Sequence, residues 1–208
     1  MQEQPWQQKY GPWALVTGAS SGIGSAMARQ LARQGLNVLL VARRLQRLEE
    51  LQDELQGSCG VEVACFACDL SDLQQVDALI ERCRSLDIGL LVSNAGFGVH
   101  KGEFMAVDCQ AQEAMYRANS IAPARLCHAL LPALVQRGRG GVLFTGSIEG
   151  DAAFPYSSAY AASKAFLHSL AQGLWYELRD SGVDVLLLAP GSTDTQAPTT
   201  SGLMTPTS

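Results

Sequence analysis

The eight residues Thr17-Gly18-Ala19-Ser20-Ser21-Gly22-Ile23-Gly24 constrain this chain more than any other stretch. They lie between an apolar run, Trp13-Ala14-Leu15-Val16, and an amphipathic run that begins at Ser25, which reads as strand, tight turn and helix. Glycines at 18, 22 and 24 let the backbone turn sharply, bring a ligand close with no Cβ in the way, and pack the next helix tightly on the sheet. The N–H groups at the helix start and the positive end of its dipole then favour a phosphate. The spacing differs from the G-x-G-x-x-G of the commonest dinucleotide fingerprint, so these residues alone leave open a helix start that simply needs glycine.

Downstream, strand-like and helical patterns alternate. Ser25–Gln34 predicts a helix with Met27, Leu31 and Ala32 on one face and Gly35 as its stop, and Asn37–Ala42 predicts a second strand whose continuous apolarity needs cover on both faces. Leucines at 45, 48, 51 and 55 mark an amphipathic helix, after which Gly57 to Gly60 turns the chain into a strand over 61–67. Ser71 is the expected N-cap of a helix to Arg84, and Leu90–Val92 is a short fourth strand. Pro123 and Pro132 predict a kink or a division in a helical segment from Cys109 to Gln136. Gly141–Thr145 is a fifth strand, Ser157–Asp180 a long helix ended by Gly182, and Val183–Ala189 a sixth strand. The alternation predicts an α/β fold: a single-domain Rossmann-type doubly wound parallel sheet with helices on both faces. One domain is expected over 1–208, with 1–11 a polar N-terminal extension and 192–208 a loop or the start of a further segment.

Composition narrows the function. A net charge of −5 with no Lys/Arg cluster beyond Arg43-Arg44…Arg47 argues against a nucleic-acid partner. No apolar run reaches the roughly 18 residues of a membrane span, and Met1–Gly11 has no signal-peptide pattern. Six cysteines scattered through apolar or helical stretches are expected to be reduced thiols, in keeping with a cytoplasmic location. Cys65 and Cys68 have the spacing of half a zinc site with no second half, so no metal is expected.

In a doubly wound sheet, ligands bind beyond the carboxyl ends of the strands. The glycine turn, Asp69, Asn94–Gly96, Ser147 and Pro190-Gly191 all fall there. Tyr160 and Lys164, four apart on one helix, share a face. An ammonium beside a phenol favours the phenolate and brings it toward a working acid/base, and the Ser147 hydroxyl can donate to a carbonyl oxygen as charge develops on it.

Taken together, Thr17-Gly18-x-x-x-Gly22-x-Gly24, Asn94-Ala95-Gly96, Asn119, Ser147, Tyr160-x-x-x-Lys164 and Pro190-Gly191 with Thr195 resemble the short-chain dehydrogenases/reductases in order and spacing over residues 10 to 195. The resemblance implies an oxidoreductase that transfers hydride between nicotinamide and a carbonyl or alcohol carbon. On matching positions, Tyr160 is the implied general acid/base, and Lys164 holds the nicotinamide ribose and lowers the tyrosine pKa. Ser147 orients the carbonyl, and Asn119 holds a water in a proton relay. Gly18, Ser20, Ser21, Gly22, Ile23 and Gly24 line the pyrophosphate and adenosine side, with Asp69 and Leu70 at the adenine. Asn94, Ala95 and Gly96 brace the crevice, and Pro190, Gly191, Thr193 and Thr195 stand at the nicotinamide end. A homodimer or homotetramer is implied as well.

After the second strand, where a carboxylate would select NAD, the sequence has Ala42-Arg43-Arg44. Guanidinium groups suit a 2′-phosphate, so NADP(H) is expected over NAD(H), with Arg43 the first partner and Arg44 the second. Phe97, Val99, Phe154 and Tyr156 form an apolar set that favours a hydrophobic ketone or 3-oxoacyl-type substrate. Glu149 is expected to face solvent, without a substrate role. Members of the resembling family commonly extend further, adding a substrate-covering segment, another helix and a seventh strand. A truncated sequence is therefore expected, with Thr205–Ser208 starting the next helix and the sixth strand left as a hydrophobic edge. The alternative is a nucleotide-binding regulator or an inactive truncated form without turnover.

Overall fold

Six strands, β1 (Trp13–Thr17), β2 (Asn37–Ala42), β3 (Val63–Ala67), β4 (Ile88–Ser93), β5 (Gly140–Thr145) and β6 (Val183–Leu188), run parallel in one sheet in the order β3-β2-β1-β4-β5-β6. The computed structural model describes residues 6–152 and 154–191. Among the described residues seven helices flank the sheet: α1 (Trp6–Tyr10), α2 (Gly22–Arg33), α3 (Leu45–Cys59), α4 (Leu73–Arg84), α5 (Cys109–Tyr116), α6 (Ala122–Arg137) and α7 (Ser158–Leu178). Because successive strand residues point to opposite faces, each central strand feeds two cores. Leu15, Leu39, Leu91 and Phe144 pack with Leu79 of α4, Leu126 of α6 and Leu167 of α7. Ala14, Val16, Leu40 and Val92 pack on the other face with Ala28 and Leu31 of α2 and Leu48 and Leu55 of α3. That two-sided cover is why these strands are apolar at every position, and it gives the doubly wound α/β domain that the alternation predicts.

Several boundaries differ from the sequence reading, each for a local reason. α2 begins at Gly22, inside the glycine turn, and the Ser25 hydroxyl donates back to the Gly22 carbonyl at 3.0 Å. Ser71 is not the cap of α4. Its hydroxyl is taken by the Asp69 carboxylate at 2.7 Å, and Asp72 caps the helix by accepting from the Gln74 N–H at 2.9 Å. α3 runs through Gly57 and stops at Gly60, whose φ of +66° is the left-handed turn that ends helices. The expected division of the 109–136 segment is a π-helical stretch, Arg117–Ile121, between α5 and α6. Pro123 falls in the first turn of α6, where proline is tolerated, and Pro132 is accommodated inside it.

The amino-terminal stretch is more than an extension. The Tyr10 hydroxyl and the Lys9 ammonium both reach the Asp184 carboxylate of β6, so α1 is fastened to the sheet edge. β6 is an edge strand among the described residues, with Leu186 and Leu188 exposed as expected.

The two-core arrangement predicts a contrast. Replacing the fully buried Leu91 with Ala is expected to cost about 2–5 kcal/mol of unfolding free energy. Met105→Ala, at a side chain that is 91% exposed, should stay within about 0.5 kcal/mol of wild type. Urea midpoints measure both, and equal midpoints would contradict this core.

Candidate active site

The carboxyl ends of β1, β4 and β5 are stitched together by short polar side chains. Thr17 Oγ1 accepts from the N–H groups of Asn94 and Ala95, each at 3.0 Å. Asn94 Nδ2 donates to the Thr17 carbonyl at 3.1 Å, and its Oδ1 accepts from the Thr145 hydroxyl at 3.1 Å. The glycine turn closes on this loop without side chains. A Cβ on Gly24 would lie 2.3 Å from the Gly18 carbonyl oxygen and 2.5 Å from Asn94 Nδ2, and Gly18 itself has φ +68°. The turn therefore needs glycine for close approach, at the point where strand order reverses and ligands bind in this architecture.

Ser21, at the N-cap of α2, makes no side-chain hydrogen bond to the helix, so its first-turn N–H groups have no side-chain cap. A phosphate fits that cradle by charge and by space. One guanidinium nitrogen of Arg44 donates to Ser20 Oγ at 3.2 Å and to Ser21 Oγ at 3.4 Å, which brings a cation to the turn. Arg43, expected first of the two, is exposed and makes no hydrogen bond or ion pair among the described residues. Asp69 is braced at the end of β3, one carboxylate oxygen accepting from the N–H and hydroxyl of Ser71. Leu70 is buried in the core, so only its backbone is available to a ligand. The Pro190 carbonyl accepts from the Ile148 N–H at 3.2 Å, placing Pro190-Gly191 beside the turn that follows β5. Thr193, Thr195 and the expected covering segment after Gly191 lie outside the described residues.

Opposite the glycine turn, α7 brings Tyr160 and Lys164 to the strand ends. Lys164 is 3% exposed; its Nζ donates to the Thr145 carbonyl at 3.0 Å and stands 5.7 Å from the centre of the Tyr160 ring. Gly96 makes room for it, since a Cβ there would sit 3.1 Å from Lys164 Nζ and 3.2 Å from Asn119 Oδ1. Asn119, fully buried on the π-helical stretch, accepts from the Phe97 N–H at 3.0 Å and donates to the Phe97 carbonyl at 2.9 Å and to Ser163 Oγ at 3.1 Å. Its amide is therefore spent on fastening the loop after β4 to α7, whereas the resemblance implies that Asn119 holds a water. Ser147 lies two residues past β5 and opens a 3₁₀ turn, Ile148–Gly150, with its Oγ accepting from the Glu149 N–H at 3.2 Å.

The charges differ from the simple expectation of an ammonium lowering a phenol. Burial pushes Tyr160 above the ordinary phenol value; the Ser147 hydroxyl facing it works against that, and the Glu149 carboxylate adds to it. Burial pulls Lys164 down to about 8. Removing water thus disfavours the charged form of each.

Glu149 does not face solvent as expected. Its side chain is 17% exposed, accepts from the Ser157 hydroxyl, and pairs with Lys101 Nζ at 3.1 Å. Its place two residues after Ser147 is a sequence hint, but nothing in the sequence points to Lys101. Of the apolar set, Phe97 packs against the core, Val99 is half-buried, and Phe154 and Tyr156 are exposed. Among the described residues no group of His, Cys, Asp and Glu is placed to hold a metal, and no helix is long and apolar enough to cross a membrane.

Comparison with known proteins agrees with this fold. The family model described as short chain dehydrogenase matches residues 12–204. The 7beta-hydroxysteroid dehydrogenase of Clostridium sardiniense is 37% identical over 190 residues, 91% of this chain and 72% of that protein. A very-long-chain 3-oxoacyl-CoA reductase of Neurospora crassa is 37% identical over 185 residues, 86% of this chain, and the chain spans little more than half of it, 55%. A solved short-chain dehydrogenase from Sphingobium yanoikuyae in complex with NADPH superposes with a TM-score of 0.86 at 38% identity, over 90% of this chain and 73% of that one.

The buried lysine predicts a dependence of stability on pH. Its folded value of about 8 lies below the ordinary lysine value of 10.5, so the unfolded chain holds the proton more tightly and the folded protein carries a cost that is full below pH 8. That cost is relieved as pH rises from 8 to 10.5, by about 3 kcal/mol. Wild type should therefore gain stability relative to Lys164→Met over this window. Denaturant unfolding of the pair at pH 7, 8.5 and 10 measures it, and a constant difference would contradict the burial of a titrating amine.

Proposed function

Because this chain belongs to the short-chain dehydrogenase family, it is an oxidoreductase, and we propose that it moves hydride between NADP(H) and a carbonyl or alcohol carbon of a hydrophobic small molecule. The observation that carries the reading is the convergence of Tyr160, Lys164 and Ser147 at the ends of β4 and β5, across from a glycine cradle that a Cβ would fill. The nicotinamide, when bound, supplies or accepts the hydride. The chain's own groups do the rest. In reduction the Tyr160 phenol gives its proton to the carbonyl oxygen, and in oxidation the phenolate takes it back. Ser147 donates a hydrogen bond to the same oxygen as negative charge develops there. Lys164 offers rotating donors to the ribose hydroxyls from a dry position, and Asn119 holds the loop at Phe97 in place beside it.

The same proposal assigns the cofactor side. Gly18, Ser20, Ser21, Gly22, Ile23 and Gly24 cradle the pyrophosphate, Asp69 and the Leu70 backbone face the adenine, and Asn94, Ala95 and Gly96 brace the crevice. Arg43 and Arg44 take the 2′-phosphate, Arg44 having the supporting contacts to Ser20 and Ser21. Preference for NADP(H) is supported by these arginines, by the missing carboxylate after β2, and by the NADPH bound in the solved relative. For substrate, the apolar set from Phe97 to Tyr156 and the two named relatives support a steroid-like ketone or a 3-oxoacyl compound. Assembly as a homodimer or homotetramer in the cytoplasm belongs to the same reading and rests on family resemblance.

Two measurements test it. Tyr160→Phe is expected to lower kcat for a ketone panel by about 10²–10⁴-fold while NADPH still quenches tryptophan fluorescence with near wild-type affinity. Full turnover would overturn the assignment, and binding without turnover in wild type would favour a nucleotide-binding regulator. Arg44→Ala should weaken NADPH by about 10- to 100-fold and leave NADH nearly unchanged; equal losses would remove the argument for NADP(H).

A further inference from the structure

We propose that Glu149 and Lys101 form a charge clasp that fastens the loop after β4 beside Tyr160 and sets the electric field at its hydroxyl. The inference rests on the acid/base reading of Tyr160 given above. Glu149 stands on the turn between Ser147 and the start of α7, and that turn cannot drift. Its flanking glycines press on the His168 ring, so that a Cβ on Gly146 or on Gly150 would come within 2.6 Å of His168 Nε2. The carboxylate is thus held mostly out of water, with one partner just before α7 in the Ser157 hydroxyl and one from the loop in Lys101.

The loop is tied to the same region at two further points. The Gly102 N–H donates to the Tyr156 carbonyl at 3.0 Å, and Tyr156 holds the left-handed φ of +63° that a tyrosine rarely adopts. Gly98 lies over the phenol, since a Cβ there would be 3.6 Å from the Tyr160 ring. Opening the clasp therefore frees a loop that covers the proposed acid/base.

The groups facing Tyr160 can be counted element by element. Lys164 comes from its own helix, Ser147 from the end of β5, Glu149 from the following turn, and Lys101 with the exposed His100 from the loop. His168, two turns along α7 from Tyr160, is hydrogen-bonded to Asp151 of the turn after β5. Among these Glu149 is the anion that disfavours the phenolate, and Lys101, 67% exposed, is its counter-charge. The Glu149 carboxylate, mostly out of water, is weakly screened and is felt at the hydroxyl, whereas the exposed Lys101 acts by neutralising it.

The two ends of the clasp can be removed with opposite sign. Reduction needs the protonated phenol, so its rate falls on the alkaline side as Tyr160 ionises. Glu149→Gln keeps the shape and the Ser157 contact while deleting the negative charge, and should move that limb to lower pH by about half a unit to one unit. Lys101→Met, on an exposed loop where misfolding is not a concern, leaves the carboxylate uncompensated and should move the limb to higher pH. The same order should appear without turnover in phenolate absorbance, taken as the difference between each protein and its Tyr160→Phe counterpart. Opposite displacements support the clasp. Limbs and titrations that stay in place, or move together, overturn it. If Tyr160→Phe itself retains turnover, the acid/base reading fails instead.

Discussion

The structure depends on a backbone approach too close for side chains, where the first turn of α2 meets the loop after β4. Gly24 packs on the Gly18 carbonyl, Gly18 packs on Ala95, and Asn94 reaches across to hold the ends of β1 and β5. Each partner needs the others. Without glycine at 24 the helix cannot start where it does, and without Asn94 the Thr17 carbonyl and the Thr145 hydroxyl would each lose a partner at a strand end. Because strand order reverses here, the same contact that closes the fold opens the crevice. Stability and ligand space are set by one piece of geometry.

From that contact the site grows outward along hydrogen bonds. Thr145, which donates to Asn94, also accepts from Lys164 through its carbonyl. Asn119 ties the loop at Phe97 to Ser163 on α7, and the Ser163 hydroxyl in turn donates to the Tyr160 carbonyl at 2.7 Å. The π-helical widening at Arg117–Ile121 lies where this asparagine turns inward. Tyr160 and Lys164 are thus placed from both sides, by their own helix and by a network anchored in three strands.

Periodicity and glycine chemistry made most of the fold legible. The strands announce themselves because burial on both faces forbids polar residues, and the glycine turn because its packing forbids Cβ atoms. Tyr160, Lys164 and Ser147 could be singled out since spacing on a helix and position at a strand end fix their neighbourhood. What escaped were choices made by tertiary partners. Ser71 and Asp72 are both good caps, and only the pull of Asp69 on the Ser71 hydroxyl decides between them. Arg43 is expected ahead of Arg44 from sequence, yet it is Arg44 that reaches Ser20 and Ser21. The resemblance assigns Asn119 a water, and only the fold shows that its side-chain amide is filled by backbone and serine partners. The Glu149–Lys101 pair spans 48 residues, a separation at which no local pattern operates.

Burial makes this candidate site electrostatically poor as well as tight. A lysine pulled down to about 8 and a phenol pushed up lie within a few ångströms of each other, each resisting charge for want of water. The phenol therefore keeps its proton, and the lysine gives its own up near pH 8. The charge state of the pair is open to whatever fixed dipoles or ions the crevice provides, and small changes in neighbouring charge have large effects where screening is weak. A ligand that brings its own positive charge to the phenol would shift the balance toward the phenolate, and the rigid polar network around Thr145 and Asn119 means that little reorganisation opposes the shift. Dry packing here is the condition that lets few charges control proton position.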